Sequence, residues 1–318
     1  MSFNSTRLSG DSECLILTFY NHDDVSKNTS PYYQITLVVC IITSLLAPMT
    51  VAANALILAA IWKNPSLRTP SYVLLAGLAF TDFSTGLLCQ PVFVVYKLAE
   101  LAGNRKLFCI AGVVTESVAL FLVSLTGVVI TMIAVERWLH MSRRSLLTVR
   151  RVVILYITFV VLLILGVAGR IFSLLYSVKA VSALKVIFLL AAAICVVITA
   201  FSYFKVFRII RRHQCQVQAS QNAINMEKYK KSIFTILYFL VIFVLSYVPY
   251  LCCILVFYIL QGDRNSLMAA FKVCLAVVFS SSFFNTVLYY WRIKEIRDSV
   301  RSIVKEKLFC KAGNGEES

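Results

Sequence analysis

Seven apolar runs, at about 33–62, 71–96, 107–140, 151–174, 182–210, 231–260 and 267–290, leave little room for anything but short connectors. Crossing the hydrocarbon of a bilayer takes roughly 20 residues of helix. A backbone in lipid has no water to bond with, so each crossing must satisfy its own N–H and C=O groups as an α-helix. The predicted fold class is therefore an all-α membrane protein, a seven-transmembrane helix bundle. Composition agrees: 59% of residues are hydrophobic and 14% charged, against about 45–50% and about 25% in soluble domains. That balance excludes a soluble enzyme. The cysteines do not read as a set of staples, because Cys40, Cys89, Cys195, Cys252 and Cys253 fall inside apolar runs, where the thiol behaves as a small hydrophobe.

An odd number of crossings puts the two termini on opposite sides, and the basic residues choose between them. With the amino terminus outside, the inward segments hold 21 of the 31 Lys and Arg. The tail before the first run instead carries Asp11, Glu13, Asp23 and Asp24, together with two N-x-Ser/Thr acceptors at Asn4 and Asn28. Residues 1–32 are thus expected to be an extracellular glycosylated tail, 33–290 the membrane domain and 291–318 a cytoplasmic segment. The net charge of +16 is spread between apolar runs, which points to anionic lipid headgroups rather than nucleic acid. The plasma membrane is the expected location. After the last crossing, Ile293, Ile296, Val300, Ile303 and Val304 recur at three and four, with Lys294, Arg297, Arg301 and Lys305 on the other face. This is a short amphipathic eighth helix in the headgroup plane, and Cys310 beside it is a candidate palmitoyl site.

Ionisable groups deep in a membrane are costly and mark functional candidates. Asp82 lies in the middle of the second run. Asn54, Thr126, Ser281, Ser282 and Asn285 fall at similar depths, an oxygen set suited to a small hard cation such as sodium, with Asp82 as its charged ligand. An alternative is a neutral Asp82 that only joins helices. Glu136-Arg137 ends the third run, and Glu116 lies 21 residues earlier, about 31 Å along a helix, near the outer mouth. Glu116 is placed either to receive a cationic ligand group or to pair with Lys97, Arg105 or Lys106. Pro249 in the sixth run removes a backbone hydrogen bond and predicts a kink, with Tyr247 two residues before it. Taken alone, these residues also suit a small-solute or ion transporter or channel lined by Asp82 and Glu116. His22, His140 and His213 all fall in the tail or inner segments, so no intramembrane His-based metal or base site is expected, and the chain reads as a non-enzyme.

In order and spacing these residues resemble the rhodopsin-like (class A) G-protein-coupled receptors over roughly residues 33–310. Asn54 matches the asparagine of the family's first helix, and Asp82 in LAFTD matches L-A-x-x-D, 28 residues later. Glu136-Arg137-Trp138 resembles D/E-R-Y, and Tyr203 the inner tyrosine of helix five. Ser246-Tyr247-Val248-Pro249 stands for C-W-x-P, and Asn285 to Tyr289 for N-P-x-x-Y. The resemblance implies an extracellular small-molecule, lipid or peptide ligand and a heterotrimeric G protein as partners. It makes Arg137, Tyr203 and Tyr289 an inner switch, and Asp82, Asn285 and Thr126 a sodium pocket. No other cofactor is implied.

The departures from the family pattern are specific. The usual helix-three cysteine is displaced to Cys109, and the short loop around 174–182 has no cysteine to meet it. By the resemblance, Cys14 is the remaining extracellular candidate for Cys109. Helix five lacks its proline. These features are similar to the melanocortin, cannabinoid and lysophospholipid receptors, and the tail after the last crossing to adenosine receptors. Amine receptors carry an aspartate where this chain has Ala119, and Glu116 lies three residues above that position, where melanocortin receptors are also acidic, so a basic peptide is one expected ligand and a lipid another. The acid that often restrains the motif arginine from helix six is replaced by Tyr229, which predicts raised ligand-free signalling.

Overall fold

A computed structural model describes residues 31–142, 147–176, 178–218, 241–242, 244–253, 255–256 and 264–313. Its helices are α1 (Pro31–Lys63), α2 (Pro70–Leu101), α3 (Arg105–Met141), α4 (Val149–Tyr176), α5 (Val178–Gln218), α6 (Val244–Cys253), α7 (Arg264–Arg292) and α8 (Lys294–Gly313). Six are long and apolar enough to cross a membrane, and α6 is a shorter apolar helix. No strand occurs among the described residues.

Local chemistry ends and starts these helices where the chain must reverse. After α1, the Asn64 side chain accepts from Ser66 N and caps a single 3-10 turn, Pro65–Leu67. At the far end of α2, Gly103 takes φ 68°, a conformation that carries no steric penalty without a Cβ. Gly103 N–H donates to Glu100 O and Asn104 N–H to Ala99 O, which closes the helix in a Schellman motif. Asn104 then caps α3 by accepting from Leu107 N at 3.1 Å.

Within α2, residues Thr85–Cys89 form one π-helical turn, closed by Gln90 N–H donating to Thr85 O. The cause is Pro91: it has no N–H, and its ring crowds the carbonyl four residues back. The extra residue lets Gly86 sit against α1. A Cβ there would lie 3.0 Å from Thr50 Cβ and 3.1 Å from the Ala47 carbonyl oxygen. Gly86→Leu is therefore expected to cost about 1–3 kcal/mol through overpacking. Thermal unfolding of the purified protein would measure this; an unchanged midpoint would show that α1 and α2 separate freely.

Two apolar clusters hold the bundle. One joins Ile57, Leu78, Val129, Tyr247 and Tyr289 to the buried face of α8; the other joins Val39, Phe93, Ala119, Leu122, Leu275 and Phe279. Helices α4 and α5 bury least and display Ile154, Leu165, Leu190 and Phe204 outward, the surface that lipid covers. Since lipid tails are as apolar as these side chains, close packing and interhelical hydrogen bonds, more than burial from water, hold such helices together.

Several boundaries differ from the sequence expectation. Helix α2 runs past residue 96 to Leu101 because Lys97 and Glu100 neutralise each other inside the bundle instead of marking its edge. Helix α5 continues to Gln218, so the expected 211–230 connector is helical as far as Gln218. Helix α4 ends at Tyr176 and α5 begins at Val178, so most of the expected 174–182 loop is helical; residue 177 lies outside the described residues. In α8, Ile296, Val300 and Ile303 are buried against α1 and α2, whereas Val304 is 40% exposed; Ser299 Oγ also donates to Ala60 O at 3.1 Å. The helix is docked on the bundle by one face. Most of the expected 231–260 crossing lies outside the described residues, and Pro249 occupies the middle of α6.

Candidate functional site

The centre of the bundle is polar. Asn285 Nδ2 on α7 donates to Asp82 Oδ2 on α2 at 3.1 Å, and Ser282 lies against the same carboxylate. Asp82 is fully buried, and its Oδ1 has no hydrogen-bond partner. An unsatisfied buried acceptor is expensive and calls for a cation, a water or a proton. Asn54 is committed elsewhere. Its Nδ2 donates to Thr50 O at 2.9 Å and Ser282 O at 3.3 Å, and its Oδ1 accepts from Thr286 Oγ1 at 2.7 Å. It joins α1 to α7. Thr126 and Ser281 approach the Tyr247 hydroxyl on α6, and the Ser281 hydroxyl donates to Val278 O. The six-residue cage expected around Asp82 thus divides into three: Ser282 and Asn285 at the carboxylate, Asn54 at the α1–α7 joint, and Thr126 with Ser281 at Tyr247.

The end of the bundle where α3 terminates carries the motif residues. Glu136 is buried and accepts from Ser71 Oγ at 2.8 Å, while its Oε2 lies 3.7 Å from Arg137 Nε. The Arg137 side chain is 37% exposed, open to a partner. Trp138 packs edge-on against Phe201 of α5 at 5.7 Å, and Thr131 meets Thr199 of α5 at 3.0 Å. Tyr203 and Tyr289 are buried; Tyr203 is within electrostatic reach of both Arg137 and Tyr289. Helices α2, α3 and α5 therefore meet around Glu136 and Arg137, and α7 reaches them through Tyr203. The contact through Ser71 was not legible as a motif, since a serine at the start of a helix reads as a cap.

At the opposite end, where α1 begins, Glu116 is ion-paired with Arg170 of α4, not with the sequence candidates Lys97, Arg105 or Lys106. Those three lie on α2 or at the start of α3, and among the described residues Arg170, projecting inward from the neighbouring helix, reaches the carboxylate. Lys97 instead bonds Glu100 at 2.8 Å, and Lys272 of α7 bonds the other Glu100 oxygen at 3.1 Å. Tyr32 also donates to Glu100, and Lys272 donates to Thr36 at 3.0 Å. This buried network links α1, α2 and α7. Its sequence signal was the i, i+3 pair Lys97 and Glu100, but the lysine of α7 could not be assigned to them from spacing. Ala119 is buried in the apolar cluster with Phe93 and Phe279, and offers no charge to a ligand. Cys109 is disulfide-bonded; Cys14, Asn4 and Asn28 lie outside the described residues, as does the Cys310 side chain.

Comparison with known proteins follows the same lines. The sequence model of the 7 transmembrane receptor (rhodopsin family) matches residues 53–289. A tyramine receptor of Caenorhabditis elegans, tyra-2, is 40% identical over 55 residues, which span 17% of this chain and 12% of that receptor. The crystal structure of squid rhodopsin is similar in fold, with a TM-score of 0.71 over 92% of this chain and 91% of the rhodopsin chain at 16% sequence identity.

Proposed function

The chain belongs to the rhodopsin family of seven-transmembrane receptors, and from that premise we propose that a ligand bound among α1, α2, α3 and α7 drives a heterotrimeric G protein at the Arg137 end. The observation that carries this is the convergence of Glu136, Arg137, Tyr203 and Tyr289 at one end of a continuous polar and aromatic core that reaches Asp82 and Tyr247. A ligand shifts such a bundle between two states only through its differential affinity for them. The polar core, with Asn285 and Tyr289 on one helix, couples the two ends. The distribution of Lys and Arg supports an extracellular amino terminus at the plasma membrane, with lipids and the basic face of α8 meeting at the inner headgroups. The chain makes and breaks no bond in this scheme.

The test is ligand-free signalling. Cells expressing the chain are expected to show more G-protein dissociation than mock cells across a sensor panel, because Tyr229 replaces the usual restraining acid; Tyr229 itself lies outside the described residues. Turnover no higher than in mock cells would remove the raised basal state. Solute flux lost with Asp82→Asn, and no dependence on Arg137, would instead favour a transporter.

Sodium fits the centre of the bundle on one observation, the orphaned Asp82 Oδ1. Asp82 would hold it with oxygen from Ser282, and Asn285 steadies the carboxylate through its other oxygen. The ion would supply charge neutralisation there. Asp82→Asn is expected to abolish any dependence of thermal stability on sodium relative to choline. Equal sodium responses in the two proteins would refute this assignment.

A further inference from the structure

Among the described residues, five charged side chains occupy the bundle near the start of α1, and their signs do not balance. Lys97, Lys272 and Arg170 are buried cations; Glu100 and Glu116 are the carboxylates that meet them. Glu100 is fully used, with Lys97 on one oxygen and Lys272 and Tyr32 on the other. Glu116 is taken by Arg170, whose Nε is buried with no hydrogen-bond partner. The two groups are not independent, because Tyr96 is within electrostatic reach of Lys97, Glu100 and Glu116. Two lysines sharing one carboxylate place more positive than negative charge out of water, an arrangement that an added counter-charge relieves.

The Arg170 Nε–H, buried beside the ion pair, is a donor left without an acceptor. Exposed Arg105 and Lys106 at the start of α3 extend the positive potential outward, and such a field draws anions into a low-dielectric cleft. One to two turns deeper on the same helices lies the apolar cluster of Phe93, Leu122, Leu275 and Phe279. We infer that the ligand is an organic acid, a carboxylate or phosphate head on an apolar body, whose head takes the surplus charge of Lys272, Lys97 and Arg170. Charge-assisted hydrogen bonds to such a head are the strong kind. Glu116, already neutralised by Arg170, then serves to position the guanidinium rather than to receive a basic ligand.

This rests on the receptor function only for the claim that occupancy signals; binding is measured without a G protein. The full chain in phosphatidylcholine nanodiscs is titrated with short, medium and long straight-chain carboxylates and alkyl phosphates, and with the matching alcohols and amines. Saturable binding of an acid with none of its alcohol is the expected result; whether carboxylate or phosphate binds better identifies the head. Lys272→Gln and Arg170→Gln should each weaken it by about tenfold or more. Lys272→Arg should retain it, and Glu100→Gln, which raises the surplus, should tighten it. Alcohols binding as well as acids, no saturable acid binding by the wild type, or indifference to Lys272→Gln overturns the proposal. Acid binding that appears only after Asp11, Glu13, Asp23 and Asp24 are made amides overturns it too, by giving the site to the chain's own tail.

Discussion

Arg137→Ala is expected to lower G-protein activation by at least about 100-fold, equivalent to about 2.7 kcal/mol, while the protein still folds and reaches the cell surface. The separation of function from stability follows from geometry. The guanidinium is 37% exposed, and its ion pair to Glu136 spans 3.7 Å, longer than a direct hydrogen bond. With its cation this open to solvent the pair contributes about 1 kcal/mol, and the buried Glu136 keeps the Ser71 hydroxyl as a donor when the guanidinium is removed. Removing the side chain therefore leaves the bundle almost as stable, yet takes away the cation that lies beside the buried Glu136 and Tyr203. Nucleotide exchange measured at matched surface expression decides it. Signalling by the alanine variant within a few-fold of wild type would mean that the partner docks elsewhere.

Asn54 is the opposite case, a residue whose loss should act on the fold. It is completely buried and makes three hydrogen bonds, two to backbone carbonyls and one from Thr286. Interhelical hydrogen bonds in membranes average only about 0.6 kcal/mol, but a buried group left without its partner costs about 1–3 kcal/mol. Asn54→Ala is expected to destabilise by about 2–3 kcal/mol, since Thr286 keeps a second, weaker acceptor in Ser282 O at 3.3 Å. Asn54→Asp should be worse, because a carboxylate oxygen would then face the Thr50 and Ser282 carbonyls in place of an amide donor. Thermal unfolding of the two purified variants compares them directly. If aspartate proved no more damaging than alanine, Asn54 would be filling space rather than donating.

Which parts of the site could be read in advance depends on where each interaction lies. Glu136 and Arg137 are adjacent in the chain, and Asp82 announces itself as a charge in the middle of an apolar run; both are local facts. The choice of Arg170 for Glu116 is not local, since 54 residues separate them. Lys272 and Glu100 are 172 apart. The sequence offered Lys97, Arg105 and Lys106 alike as partners for Glu116, whereas the rotation of α2 turns Lys97 toward Glu100 and α7. The same limit applies to the sodium cage: six polar residues at equal depth were indistinguishable until helix orientation assigned Asn54 to one joint and Thr126 to another.

The amino-acid sequence by itself determined the number of crossings, the helical state of each and the amphipathic α8, because hydropathy and backbone satisfaction in lipid act within a single segment. Only the tertiary structure decided which polar groups meet, which charges are neutralised and where a positive charge is left over. In a helix apolar on every side, the pattern does not say which face turns inward, and that rotation is set by packing against neighbours distant in the chain.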